Sequence, residues 1–206
     1  MAGTGKSAQN TTASSLSAHR RRLRDGLFIA VGAVCLFLLL ALTTYHDSDP
    51  GWSASGSGAA IRNLGGITGA FVADIFFSLI GFAAYLVPCL LGYQAVRLLL
   101  SEDNHQPVDW TLFGLRALGL VLVVMAATAI AALNDQTQSG LPQGAGGILG
   151  VAIGSSFDAA FSPVGARLIL VAVFLFGLTV FANISWVRVT EGLGQRCIEG
   201  AGWCGR

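Results

Sequence analysis

Twenty consecutive residues without a charge, Gly26 to Tyr45, constrain this chain more than any other feature. At about 1.5 Å of rise per residue, a helix over this run is about 30 Å long, the thickness of a bilayer's hydrocarbon core. In hydrocarbon every backbone N–H and C=O has to be satisfied internally, so a single run of this kind crosses as an α-helix. Four arginines, Arg20, Arg21, Arg22 and Arg24, stand directly before it, and His46-Asp47-Ser48-Asp49 directly after it brings two acids and no Lys or Arg. A basic front and an acidic back place the N-terminus in the cytoplasm. The apolar core of a cleaved signal peptide is about 7–15 residues; this one is longer and follows a polar lead, so it reads as a retained signal-anchor.

The remainder of the chain continues in the same vein. Only 11% of its 206 residues are charged and 53% are hydrophobic, where a soluble domain carries about 25% charged residues. Three further spans are expected near 75–96, 112–133 and 166–187, in addition to 26–45. The apolar run from Gly66 to Val96 is longer than one crossing requires, so Gly65–Ala73 is read as an interfacial approach and Asp74 as the outer N-terminal end of the second span. There a carboxylate suits the helix dipole and caps free N–H groups; the alternative is a proton-relay carboxylate. Pro88, inside the span, removes a hydrogen bond and is expected to kink it. Along the third span Ala127 and Ala131, or Thr128 and Ala132, form small-xxx-small pairs that let another helix approach closely. Asn183, near the inner end of the fourth, is placed to hydrogen-bond a neighbouring helix.

Two glycine-rich outer loops separate these spans. The first, 46–64, holds the turn signal Asp49-Pro50-Gly51 and the interfacial ring of Trp52. The second, 134–165, has an apolar, glycine-rich middle at 144–161 that suits a short interfacial helix or a re-entrant segment. With four spans and both ends inside, ten of the twelve Lys and Arg fall on the cytoplasmic side and only Arg62 and Arg167 outside, as the positive-inside rule requires. The expected organisation is a disordered tail at 1–24, a four-span all-α membrane domain at 25–188 and the start of a cytoplasmic linker at 189–206.

Chemistry is sparse. Gly3-Thr4-Gly5-Lys6-Ser7 imitates the end of a phosphate-binding loop, but such a loop needs a preceding strand and an earlier glycine, which nothing at this position supplies. His19, His46 and His105 are not paired at metal spacing, and Cys197 and Cys204 match no common zinc pattern. The spans lack the paired ionisable residues of pumps and transporters. No catalytic, cofactor-binding or metal-binding residue is assigned.

The two outer loops also resemble each other. Leu64-Gly65-Gly66-Ile67-Thr68-Gly69 answers to Ala145-Gly146-Gly147-Ile148-Leu149-Gly150, each followed by an apolar stretch with Phe and one Asp (Asp74, Asp158), then by a glycine at the following span (Gly81, Gly165). Either a parallel repeat of two hairpins or shared interfacial chemistry explains the match.

Two stretches carry a wider likeness: Asp49-Pro50-Gly51-Trp52-Ser53, and Gly69-Ala70 through Ala73-Asp74 to Gly81. With them, residues from about 20 to 190 resemble the N-terminal four-span membrane domain of the bacterial FtsK/SpoIIIE DNA translocases. The resemblance implies an inner-membrane protein at the division septum, assembled with other division proteins and as a homo-oligomer, hexameric in the parent. It also implies a separate hexameric motor that uses ATP and Mg and moves DNA; with the chain ending at Arg206, that motor, its cofactors and its DNA contacts are expected to lie elsewhere. The rival is a small multi-pass transporter or channel subunit, motivated by Asp74, Pro88, the repeat and the semi-apolar second loop. The two differ on Asp74→Asn, which the anchor reading tolerates and the transporter reading does not.

Overall fold

The computed structural model describes residues 4–56, 58, 60–100, 110–135 and 140–183. Among these every regular element is helical: α1 (Thr4–Thr43), α2 (Gly66–Ile80), a 3-10 turn (Gly81–Tyr85), α3 (Leu86–Leu100), α4 (Trp110–Asn134) and α5 (Gly147–Ala182). Four stretches are long and apolar enough to cross a membrane: Asp25–Thr43, Gly66–Arg97, Thr111–Asn134 and Gly147–Ala182. The loop at 101–109 and residues 184–206, with Trp186, Arg188, Cys197 and Cys204, lie outside the described residues.

α1 departs from expectation at its start. The tail expected to be disordered is helical from Thr4 onward. Between Lys6 and Asp25 there is neither Gly nor Pro to stop a helix, so the helix set by the span propagates backward, each added residue gaining a hydrogen bond without a new nucleus. Arg20, Arg21, Arg22 and Arg24 therefore ride on the same helix as the span, with Arg22 exposed.

The chain divides into two compact units, Met1–Ser78 with Ala84–His105, and Leu79–Ala83 with Gln106–Arg206. In the first, α3 packs along α1. Its core is small and tight: Ala41, Leu42, Ala70, Ala73, Phe77 and Ala84 are buried. The Phe77 ring stands edge-on between Tyr45 and Tyr85, with centroids 5.0 and 5.6 Å away, the arrangement that aromatic quadrupoles prefer. The points of contact trace the path. Gly65 sits against the Phe37 ring and Gly69 against Ala41; Phe77 reaches Tyr45; Tyr85 returns to donate its hydroxyl to the Leu42 carbonyl at 3.1 Å. The outer loop thus folds back along α1, α2 climbs away, and α3 descends.

The helix begins at Gly66 rather than near residue 75, so the interfacial approach is itself helix and Asp74 lies within α2, not at a helix N-terminus. The bend also falls elsewhere than at Pro88. Helical hydrogen bonding breaks at Gly81 (φ +56) and passes through the 3-10 turn. Pro88 is buried in the first turn of α3, where a residue without an N–H is cheaply accommodated.

In the second unit α4 and α5 lie against each other. They approach closely at two places: a Cβ on Gly150 would overlap the Thr128 carbonyl, while one on Gly119 would stand 2.7 Å from the Phe181 nitrogen and one on Gly177 3.0 Å from Leu122 Cβ. The buried line of α4 accordingly includes Gly119, Val123, Ala126 and Ala129. Ala127 and Ala131 are only half-buried, a correction to the first small-residue pairing, while Thr128 is fully buried and Ala132 faces Gly146. α5 is two helices joined at a sharp break, the first running toward the C-terminal end of α4 (Gly150 at Thr128, Gly154 at Leu133) and the second returning along it (Arg167 at Leu133, Gly177 at Leu122). The first runs from Gly147 to a break at Ser162 (φ 63, ψ 163), followed by Pro163; the second ends at Ala182. The apolar middle of the second loop is therefore a helix of the same length as α2. After Ala182, Asn183 takes the left-handed conformation and its N–H caps the Thr179 carbonyl; the expected end of the fourth span at 187 lies outside the described residues. Asn183 is thus an exposed helix terminator.

Candidate functional site

The polar side chains of the first outer loop converge on two buried carboxylates. Asp74 is 3% exposed. Its Oδ1 accepts the Tyr45 hydroxyl at 3.1 Å and the Ser53 hydroxyl at 2.8 Å, and its Oδ2 accepts the Ser53 N–H at 2.6 Å. Gly51 lies directly over it; a Cβ there would stand 2.6 Å from Oδ2. The turn Asp49-Pro50-Gly51 brings Ser53 down onto this carboxylate because glycine alone leaves room for it. Burial first, and then the negative charge of Asp74, push the Tyr45 hydroxyl well above its ordinary value, so the phenol remains a donor.

Asp49 is the second anchor. Its Oδ1 accepts the Arg62 N–H at 2.9 Å and its Oδ2 the Asn63 N–H at 2.8 Å. Asn63, also buried, donates its amide to the Ala41 carbonyl at 2.7 Å and accepts the Gly65 N–H at 2.8 Å. A Cβ on Gly69 would stand 2.5 Å from the Asn63 oxygen, so Gly69 is what admits Asn63. Thr44 closes the loop by accepting the Leu64 N–H at 3.1 Å. On the exposed side, Arg62 Nη1 lies 2.8 Å from His46 Nε2. A guanidinium only donates, so Nε2 accepts and the imidazole proton sits on Nδ1, 3.0 Å from an Asp47 oxygen and 3.1 Å from Ser48 Oγ.

The second loop repeats part of this scheme. Asp135, just past the end of α4, accepts the Ala145 N–H at 2.7 Å. Arg167 donates to the Leu133 carbonyl at 3.0 Å, putting a cation at the C-terminal end of α4, where the helix dipole favours it. The glycine pairs match in detail. Gly66 and Gly147 have φ of 66 and 63. Their N–H groups donate to the carbonyls of Asn63 and Gly144 at 2.9 and 3.2 Å, and those of Gly69 and Gly150 to Gly65 and Gly146, both at 3.0 Å. Gly65 contacts Phe37 and Gly146 contacts Thr128, in both cases about 9 Å back from the end of the preceding helix at 1.5 Å per residue. The offset of 81 positions that relates Gly66 to Gly147 also relates the two breaks, Gly81 and Ser162.

The carboxylates of Asp49, Asp74 and Asp135 are acceptors filled by backbone and hydroxyl donors, which is the chemistry of loops held in one shape. Among the described residues no three of His, Cys, Asp and Glu gather as they would around a metal. Asp74, assigned from the sequence, joins Ser53, Tyr45 and Gly51. Gly81 lies at the helix break, Pro88 one turn beyond it, and Ala127, Ala131 and Asn183 take no part. Sequence reasoning missed Asn63 and the capping role of Asp49. The signal was present: an acid at the head of a turn, and an Asn two residues before a Gly pair.

Residues 20–194 match the family described as the 4TM region of DNA translocase FtsK/SpoIIIE. The chain belongs to this family. Among curated relatives, the DNA translocase FtsK of Pseudomonas syringae pv. syringae is 42% identical over 181 residues, which are 86% of this chain and 22% of the relative. That of Pseudomonas aeruginosa is 38% identical over 198 residues, 92% of this chain and 24% of the relative. That of Vibrio parahaemolyticus is 32% identical over 178 residues, 86% of this chain and 17% of the relative. The chain spans about a fifth of the length of these relatives. No solved structure matches it. It is thus a multi-pass membrane protein, and what it shares with the FtsK family is the family's membrane region.

Proposed function

We propose that residues 1–206 form the membrane anchor, oligomerisation and septum-targeting domain of an FtsK-type DNA translocase, set in the bacterial inner membrane at the division septum and linking division to chromosome segregation. The observation that carries this reading is the match over residues 20–194 to the 4TM region of the translocase. The ATP, Mg and DNA of a translocase belong, on this reading, to the part of the relatives that the chain does not span. Its own partners are the bilayer, division-septum proteins and further copies of itself, six in the assembled parent by the family resemblance.

The loop geometry supports an anchor over a transporter. A proton-relay carboxylate needs to exchange protons with a path, whereas Asp74 is enclosed by three donors from the loop and α1's exit. A loop pinned at both Asp49 and Asp74 presents one fixed outer surface, as a docking module requires.

The test is imaging of residues 1–206, fused at the C-terminus to a fluorescent protein that is bright only in the cytoplasm, in dividing bacteria. A sharp band at midcell is expected. A uniform membrane signal would contradict the septal address.

A further inference from the structure

The two glycine pairs share backbone geometry but differ in what lies over them. On the second pair the cover is a helix break. A Cβ on Gly147 would stand 2.6 Å from the Leu79 carbonyl carbon and 2.7 Å from the Ile80 nitrogen. The break frees the N–H of Phe82, which donates to the Ala145 carbonyl at 2.8 Å. Gly81 makes this fit possible, since a Cβ on it would overlap that same carbonyl. The structure therefore shows what this kind of socket accepts: an apolar helix broken at a left-handed glycine, with one N–H freed beside it.

On the first pair the position of Gly147 is taken by Gly66, and nothing lies within 4 Å of where its Cβ would be. The position of Ala145 is taken by Leu64, whose carbonyl accepts no hydrogen bond among the described residues. Leu64 and Ile67 are 70% and 64% exposed. The surrounding loop is nonetheless held by Asp49 and Asn63, so the socket is formed before anything fills it. A second copy of the chain does not supply the plug. Its remaining break has Ser162 where the plug needs glycine and Pro163 where it needs an N–H.

We propose that Leu64-Gly65-Gly66-Ile67 is a preformed socket for a glycine-broken apolar helix of a different membrane protein. The occupant seats its glycine against the Leu64 carbonyl and donates the freed N–H to it, as Phe82 does to Ala145. This goes beyond the septal reading and stands or falls separately from it, because the test uses purified components and no cell.

The chain's own plug serves as the probe. The chain, with p-benzoyl-phenylalanine in place of Ile67, is reconstituted in lipid nanodiscs and irradiated with a synthetic peptide of residues 75–97. A second preparation carries the photoprobe at Ile29, exposed on α1 and about 12 Å along the helix from Phe37 at 1.5 Å per residue. The expected result is a peptide adduct at position 67 and background at 29. With a Gly81→Ala peptide the adduct at 67 falls roughly tenfold, the loss expected from overpacking a tight backbone contact. Equal capture of the two peptides, equal capture at 29 and 67, or adducts to lipid alone would overturn the proposal.

Discussion

Asp74 illustrates how much one residue's meaning depends on its partners. In sequence it is the one charge in a long apolar run, and its position suggests a helix cap or a relay. In the fold it lies inside α2 and closes the outer loop through Ser53 and Tyr45. Those partners lie 21 and 29 positions away, a distance no local pattern encodes. Removing the carboxylate strands buried donors, which costs about 1–3 kcal/mol for each uncompensated group. Asp74→Ala is therefore expected to lower stability by about 2–3 kcal/mol, measured by denaturant titration in detergent micelles. Asp74→Asn retains one acceptor for the Ser53 N–H while the hydroxyls reorient, so it is expected to lose roughly half as much. Tyr45 gives a pH signature. Its hydroxyl is raised above the usual phenol value of 10.0 by burial and by Asp74, so the folded state holds this proton more tightly than the unfolded chain. The stabilisation is complete below about pH 10 and declines as pH rises beyond it, because the unfolded phenol ionises first. Titrating stability from pH 9 to 11 is expected to show a downward slope that is shallower in Tyr45→Phe.

At the scale of elements, the existence of the spans was legible because length and lack of charge decide it. Their ends were less so. Gly66 starts a helix although glycine is a poor helix former, because its positive φ makes the turn out of the loop. The bend assigned to Pro88 belongs to Gly81, whose conformation follows from contact with Ala145, far along the chain. Small residues on α4 announced a packing face without phasing it, since apolar helices in lipid carry little facing information; Gly119 and Gly177 choose the face. The two helix breaks give opposite expectations. Gly81→Ala sets a Cβ against the Ala145 carbonyl at positive φ and is expected to destabilise by about 2 kcal/mol or more. Ser162, at φ 63 and ψ 163, occupies a region that only glycine enters freely, so Ser162→Gly is expected to stabilise by about 1 kcal/mol. Thermal melts of the two variants in one detergent check both signs, and a stabilised Gly81→Ala would refute the account of the break.

For the whole molecule, the offset of 81 positions joins the Gly pairs, the helix breaks and the short helices between them into one unit used twice. The sequence carried that repeat in six residues, Leu64 to Gly69 against Ala145 to Gly150, too few to separate common descent from common chemistry. The shared φ values and hydrogen bonds strengthen the case for a repeat. Divergence is as informative as likeness: the first copy of the repeat has Gly81 and Phe82 where the second copy has Ser162 and Pro163, so a contact made once is not propagated. An even number of crossings, four, puts both ends of the chain on the same side of the membrane, and by the positive-inside rule the arginines before α1 make that side the cytoplasm. The most direct measurement is accessibility of single cysteines to a membrane-impermeant maleimide in intact spheroplasts. The chain would carry Cys197 alone, or, with all native cysteines replaced, Ser55→Cys or Gly140→Cys. The account predicts labelling at 55 and 140 from outside, and at 197 only after permeabilisation. Labelling of 197 in intact spheroplasts, or protection of 55 or 140, would contradict a four-span domain with both ends inside.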